Sequence, residues 1–288
     1  MPAVSIIIPT FNRSLKVTRA ISSVLQQSFT DFEIIVVDDS STDGTRENLT
    51  IFDDKITIIS HHSNLGVSAA RNTGILYSRA PLIAFLDSDD YWLPDKLAVQ
   101  IAFFRDHPKA IICQTEEIWI RNGLRVNPKK KHIKPSGDIF KASLKLCLVS
   151  PSAVMLKRTL FEQTGLFDVD LPACEDYDLW LRISCFNPII LIPQYLVVKE
   201  GGHSDQLSAK YKGMDRFRIK AILKLVKNAP LNEKQLQDAL NELVRKCNIY
   251  GTGCIKRGKL TEGSLCFQII KQIQKSSNIS GDPFTSLS

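Results

Sequence analysis

Three short aliphatic runs, each cut off by a polar or acidic stretch, most constrain what this chain can fold into. Val4-Ser5-Ile6-Ile7-Ile8 stops at Pro9, Ile34-Ile35-Val36-Val37 breaks on Asp38-Asp39-Ser40, and Leu82-Ile83-Ala84-Phe85-Leu86 breaks on Asp87-Ser88-Asp89-Asp90. The runs are nearly continuous rather than alternating, as expected of strands covered on both faces in a parallel sheet. Between them the apolar period becomes helical. Val17, Ala20, Ile21, Val24 and Leu25 share one face, and Ser14 is placed to cap that helix. Further helices are expected at 42–51, at 67–78 and after Pro94, with strands at 56–60 and 110–120. Strands alternating with helices through short connections give right-handed βαβ units and an open α/β sheet.

Past residue 120 the pattern changes. Residues 121–138 are polar and basic, with Lys129-Lys130-Lys131-His132 at their centre, and read as a surface loop. Helical periodicity returns at 140–148, 158–164 and Tyr177–Ile183, and dominates beyond 210. Charge divides the chain in the same place. Residues 1–204 carry 22 Lys+Arg against 23 Asp+Glu, whereas 205–288 carry 15 against 7. The expected organisation is an α/β domain over 1–204 and a basic, mainly helical segment over 205–288.

Composition removes several classes. An apolar fraction of 44% with 23% charged residues is that of a folded globular chain. No apolar run approaches the about 20 residues of a membrane span. Met1-Pro2-Ala3-Val4 leads directly into a strand without a basic leader, so a cytoplasmic protein is expected. Seven cysteines without a CxxC pair suit neither a disulfide framework nor a zinc site, and are expected as buried thiols. The basic tail has few interleaved aromatics, so no nucleic-acid partner is expected.

In an open α/β sheet, ligands bind beyond the carboxyl ends of the strands. Three such ends are rich in chemistry: Pro9-Thr10-Phe11-Asn12-Arg13, Asp38-Asp39-Ser40 and Asp87-Ser88-Asp89-Asp90. Five carboxylates there repel one another unless cations or hydrogen-bond donors compensate. Hard oxygen ligands point to Mg²⁺ or Mn²⁺. The competing reading is turn chemistry at Asp38 and Asp39 and a helix cap at Asp90. Neither GxGxxG nor GxxxxGK[ST] occurs, which argues against nicotinamide enzymes and P-loop NTPases.

These blocks resemble the nucleotide-sugar-dependent glycosyltransferases of family 2, over about residues 3–205. The resemblance rests on Ser5-Ile6-Ile7-Ile8-Pro9-Thr10-Phe11-Asn12, Val36-Val37-Asp38-Asp39-Ser40-Ser41-Thr42-Asp43-Gly44 and Asn64-Leu65-Gly66-Val67-Ser68-Ala69-Ala70-Arg71-Asn72. It continues through Phe85-Leu86-Asp87-Ser88-Asp89-Asp90 and Gly165-Leu166-Phe167-Asp168 to Glu175-Asp176-Tyr177-Asp178-Leu179-Trp180. It implies a GT-A type open sheet of mostly parallel strands with flanking helices, followed here by the helical C-terminal segment. It also implies an inverting, non-processive enzyme, since neither QxxRW nor membrane helices are present.

The implied roles follow residue by residue. Pro9, Thr10 and Phe11 line the nucleobase pocket, Asp39 accepts from the base, and Arg71 helps hold the nucleotide. Asp87-Ser88-Asp89 resembles the D-x-D motif, with Asp89 the metal ligand. Asp176 resembles the catalytic base, although Glu175 and Asp176 also suit a helix N-terminus on charge alone. His203 is a further candidate for the metal or diphosphate. The implied donor is a UDP-sugar and the acceptor a glycan or lipid-linked hydroxyl, recognised by 121–160 and the C-terminal segment. The alternative is a non-catalytic nucleotide-sugar-binding module.

Lipid-linked acceptors bring in the tail. Ile219, Leu223 and Val226 give it a packing face, and Lys210, Lys212, Lys220, Lys224 and Lys227 are left for an anionic membrane surface. Each basic residue near such a surface is worth up to about 1 kcal/mol, so the expected contact is weak and salt-sensitive.

Overall fold

The structure, a computed structural model, describes residues 1–127, 129–202, 211 and 213–277. Its first half alternates β1 (Val4–Thr10), α1 (Ser14–Leu25), β2 (Phe32–Asp38), α2 (Thr45–Leu49), β3 (Thr57–Ser60), α3 (Val67–Tyr77) and β4 (Leu82–Phe85). The strands are parallel in the order β3-β2-β1-β4. Alternate residues of β1 feed opposite cores. Ile6 and Ile8 pack with Val17, Ile21 and Val24 of α1, whereas Ile7 packs with Ile75, Ile83 and Phe85. All are fully or almost fully buried, which explains the unbroken aliphatic runs. Each such side chain contributes about 1.5–3 kcal/mol by leaving water.

Two local expectations are corrected. Pro9 lies inside β1 rather than ending it, because β4 pairs with β1 only as far as Ile7. Beyond that point a missing N–H interrupts no ladder on the β4 side. Ser14 is not the cap of α1 either. The N–H groups at its start are met by the loop after β2, with Arg13 N donating to Thr45 Oγ1 at 3.2 Å and Ser14 N to Asp43 Oδ2 at 3.3 Å. The acidic loop therefore serves as a remote cap and fixes the end of β2 against α1.

Gly74 sets how closely α3 approaches β1. A Cβ built there overlaps Ile7 Cγ2 and lies 3.1 Å from Ile7 Cγ1. Alanine brings about 1 kcal/mol of helix propensity, but Ile7 is fully buried and has no room to yield. Gly74→Ala is expected to lose about 1–2 kcal/mol net, seen as a lower urea midpoint with an unchanged slope.

The second half comprises β5 (Tyr91–Trp92), α4 (Lys96–Asp106), β6 (Ile112–Arg121), β7 (Leu124–Val126), α5 (Phe140–Lys145), β8 (Val154–Lys157), α6 (Leu160–Thr164), α7 (Glu175–Ser184) and β9 (Ile190–Gly201). β8 enters antiparallel between β4 and β6, and β9 runs parallel to β6. The sheet order becomes β3-β2-β1-β4-β8-β6-β9-β5, with β7 paired to β6.

Three helices follow: α8 (Asp215–Asn228), α9 (Glu233–Lys256) and α10 (Leu260–Ser277). A capping box of Asn232 and Gln235 starts α9. Ile222 and Leu225 of α8, Leu243 of α9 and Ile270 of α10 join Phe140, Tyr177 and Leu181 in one apolar cluster. The packing face of Ile219, Leu223 and Val226 is spent in that cluster. Two of the lysines assigned to an outer surface bond to the segment before α7, Lys224 half-buried and Lys220 still exposed. Lys224 Nζ pairs with Asp168 at 2.6 Å and Asp178 at 3.3 Å, and Lys220 Nζ donates to Asp170 O at 3.1 Å. Lys210 and Lys212 lie outside the described residues. The seven cysteines are unpaired, and all but Cys147 are buried. Among the described residues, no helix is long and apolar enough to cross a membrane.

Candidate active site

Register brings the three polar strand ends together. Thr10 pairs with Asp38, and β1 separates β2 from β4, so Asp39 and Asp87 emerge on either side of Thr10. Thr10 and Ser88 are buried, and Phe11 is 42% exposed. Thr10 Oγ1 and Ser68 Oγ make no hydrogen bond within the described residues. A buried hydroxyl without a partner costs about 1–3 kcal/mol.

The two aspartates after β2 divide their work. Asp38 Oδ1 accepts from Ser41 N at 3.1 Å and makes the turn. Asp39 gathers the loop before α3. Its Oδ1 lies 2.7 Å from His61 Nδ1 and 2.9 Å from Leu65 N, and its Oδ2 accepts from Gly66 N at 2.8 Å. Gly66 adopts φ +91° there, a conformation natural only to glycine. His61 Nε2 lies 2.9 Å from Thr73 Oγ1, which ties the same loop to α3.

Arg71 is a buried brace. Only 3% exposed, its guanidinium donates to Asp87 Oδ1 and Glu175 Oε1, each at 2.7 Å, and lies 5.1 Å from the Phe167 ring centroid. It thus links the end of β4 to the start of α7. Burial pushes the Asp87 carboxyl upward, but Arg71 and Lys199 outweigh it and hold the group below its ordinary range. Glu175 is different, for burial and the neighbouring charge of Asp176 raise it despite Arg71.

Asp89 pairs with Arg13, and Arg19 Nη2 donates to its carbonyl at 2.9 Å. Asp90 does not cap α4. It is buried, accepting from Ser152 Oγ at 2.6 Å and from Glu200 N at 3.2 Å, and burial raises it well above an ordinary aspartate. The cations that answer the carboxylate repulsion are therefore found in the chain itself, chiefly Arg13, Arg71 and Lys199.

Asp176 stands in the first turn of α7, behind Cys174 in a left-handed conformation with φ 63°. Ser40 and Asn12 share that unfavourable region, at φ 69° and 50°. Non-glycine residues held this way cost about 1–3 kcal/mol each and concentrate at functional sites. Asp176 Oδ1 accepts from Tyr177 N at 2.6 Å, and its Oδ2 lies 3.4 Å from Cys147 Sγ. Glu175 is 5% exposed against the brace, whereas Asp176 lines an open cavity of about 190 Å³.

The model described as Glycosyl transferase family 2 matches residues 5–165, more than half of the chain. The chain belongs to glycosyltransferase family 2. Its fold is of the GT-A type: Staphylococcus aureus TarS 1–349 in complex with UDP-GlcNAc is 17% identical, with a TM-score of 0.67 over 97% of this chain and 92% of that one. The mannosyltransferase PcManGT of Pyrobaculum calidifontis, in complex with GDP-Man and Mn²⁺, is 17% identical with a TM-score of 0.63, over 93% of this chain and 79% of that one. Among curated relatives, the Escherichia coli UDP-Glc:alpha-D-GlcNAc-diphosphoundecaprenol beta-1,3-glucosyltransferase WfgD is 36% identical over 66% of this chain and 72% of its own length. The chain spans only 26–36% of three matching Rickettsia glycosyltransferases, which are uncharacterized.

Within this family 2 domain, the structure adds a residue that sequence reasoning missed. Lys199, near the end of β9, donates from Nζ to Ser150 Oγ at 3.0 Å. Burial works against its charge, but Glu117, Asp90, Asp87 and Asp89 overcome this and hold it protonated. Its only sequence signal is a lysine directly after Leu196-Val197-Val198. His203 lies outside the described residues. Among the described residues, no three carboxylate, histidine or cysteine groups gather as metal ligands. The donors present fit a nucleotide-borne metal instead: Mg²⁺ commonly takes one or two carboxylates plus substrate phosphates, and Asp89 and Asp87 are hard oxygen donors at one strand end.

Proposed function

We propose that this family 2 protein is an inverting glycosyltransferase that moves a hexose from a UDP-sugar to a hydroxyl of a glycan carried on a lipid diphosphate. The observation that carries the reading is the Arg71 bridge, one guanidinium bonded both to the D-x-D end of β4 and to the residue before Asp176. The activity for which the E. coli relative is named supports the donor and acceptor classes, and the UDP-GlcNAc bound to TarS supports the donor. With such an acceptor, the enzyme works at the cytoplasmic surface of a membrane.

In this reading Pro9, Thr10 and Phe11 receive the base, with Thr10 Oγ1 gaining the partner it lacks and Asp39 using its remaining lone-pair capacity. Ser88 and Asp87 shape the diphosphate site, and Arg71 and Lys199 keep Asp87 ionised and fixed. Asp89 would hold Mg²⁺ or Mn²⁺, which would supply counter-charge to the leaving diphosphate. Asp176 takes the proton of the attacking hydroxyl, which is otherwise a poor nucleophile. One base and one in-line displacement invert the anomeric centre.

The metal assignment has a direct test. Calorimetry with UDP is expected to show binding with Mn²⁺ that falls by about 10-fold or more in EDTA and in Asp89→Asn, as charge-assisted contacts are lost. Equal affinity with and without EDTA overturns it.

A further inference from the structure

Beside Asp176 the molecule holds an open cavity whose lining includes none of Pro9, Thr10, Phe11 and Asp39. It lies between β6, the turn at Lys130–His132 and the start of α7, with Trp119, Glu117, Lys134, Cys147 and Asp176 among its lining residues. We infer that it is the acceptor subsite, in which Trp119 supplies the face for the acceptor pyranose and Lys129, Lys130 and Lys131 beside His132 take the phosphate that the pyranose carries. The inference rests on the glycosyltransferase reading above and adds where, and by what chemistry, the acceptor is held.

The wall is built for a sugar. Trp119 is half-buried and its indole is fixed: Nε1 donates to Glu117 Oε2 at 3.2 Å, and the His132 ring meets it at 5.2 Å and 60°. A pyranose offers an apolar C–H face to such a ring and directs its hydroxyls sideways, so an aromatic wall with polar neighbours suits it. Those neighbours are present. Glu117 and Lys134 are both buried and form an ion pair, Nζ to Oε1 at 3.4 Å, and Lys134 Nζ also donates to Thr115 O at 2.9 Å. Burial alone would keep Glu117 neutral, but Lys134 and Lys199 draw it down to about 2, leaving an ionised acceptor for sugar hydroxyls. A volume of about 190 Å³ is on the scale of one ring, and Asp176 lies in the same wall to meet its hydroxyl.

The turn that brings His132 to the cavity is cationic. Lys129, Lys130 and Lys131 are exposed beside His132. Burial lowers the basicity of His132, and Lys131, Lys129 and Arg121 lower it further. A cationic turn at a sugar-sized cavity selects a pyranose bearing phosphate or diphosphate, since ammonium groups bind phosphate oxygens as point charges.

The test is calorimetry in the presence of UDP and Mn²⁺ with three probes: an alkyl diphospho-N-acetylglucosamine, N-acetylglucosamine 1-phosphate, and the neutral alkyl glycoside. The wild type is expected to bind the alkyl diphosphate about 10-fold more tightly than the glycoside, and Lys129→Ser/Lys130→Ser/Lys131→Ser to erase that gap. Trp119→Ala is expected to weaken both by about 10-fold or more, with Trp119→Phe restoring most of the loss. UDP affinity stays unchanged in all of these variants. Equal binding of both phosphorylated probes identifies a free sugar phosphate as the acceptor, whereas a weaker 1-phosphate identifies the lipid-carried one. The subsite is overturned by unchanged affinities in the variants, or by silence of all three probes toward a wild type that binds UDP. A wild type that does not bind UDP overturns the donor reading, and this inference with it.

Discussion

Asp176→Asn is expected to reduce sugar transfer by about 10²–10⁴-fold while leaving UDP affinity as in the wild type. The asparagine amide reproduces the shape of the carboxyl group and can still accept from Tyr177 N through its oxygen, so helix α7 keeps its start. What it cannot do is receive a proton. The neighbouring Glu175 does not substitute, because Glu175 Oε1 is 2.7 Å from Arg71 and its carboxylate is committed to the brace. Single-turnover measurement with saturating donor separates this loss from any change in binding. A mutant turning over at nearly the wild-type rate would remove Asp176 as the base.

Strands covered on both faces were legible in the sequence because both cores demand unbroken aliphatic runs, and β1, β2 and β4 have them. β8 and β9 were not read as strands, for different reasons. Val154–Lys157 is only a four-residue strand, directly followed by a helical pattern. Ile190–Gly201 contains Pro193 and Gln194, and its ladder with β6 shifts register around Glu116, which blurs any period of two. The acidic strand ends were legible as a cluster, but their partners were not. Lys199 of β9 acts on Asp87, Asp89 and Asp90 through charge, and no local pattern announces an interaction over more than a hundred residues. Trp119 and Lys134 look like ordinary residues of a polar segment until the fold places them in one cavity with Asp176. Of the tail lysines, Lys224 was not legible as a structural residue, since its use in pinning α8 onto Asp168 and Asp178 depends on a contact distant in sequence.

Arg71 is where stability and function meet, and Arg71→Met is expected to be the most damaging single change in the domain. Methionine fills much of the volume but leaves Asp87 and Glu175 without the cation between them. Breaking a buried pair by removing one partner costs about 3–5 kcal/mol, a large share of the about 5–15 kcal/mol that holds a typical domain together. The cost should depend on pH with a definite sign. Glu175 already sits above its ordinary range in the wild type through burial and the Asp176 charge, and Arg71 is the chief force opposing the rise. Without Arg71 it rises further, so near neutrality the variant must either hold a buried charge or take up a proton. A carboxyl group whose folded pKa exceeds its unfolded value destabilises more as pH climbs, and this burden is lifted as pH falls below the folded value. The Asp87 contribution behaves alike in the variant, because its depressed value in the wild type depends first among charges on Arg71. Urea unfolding is therefore expected to show the full deficit near neutral pH and a smaller one at about pH 5, approaching the unperturbed carboxylate range. Adding Glu175→Gln to Arg71→Met should recover part of the loss near neutrality, since it removes one of the two orphaned charges. A deficit that is the same at both pH values, and is untouched by the second substitution, would mean that Arg71 supports the fold by packing on Phe167 rather than by pairing the two ends of the site.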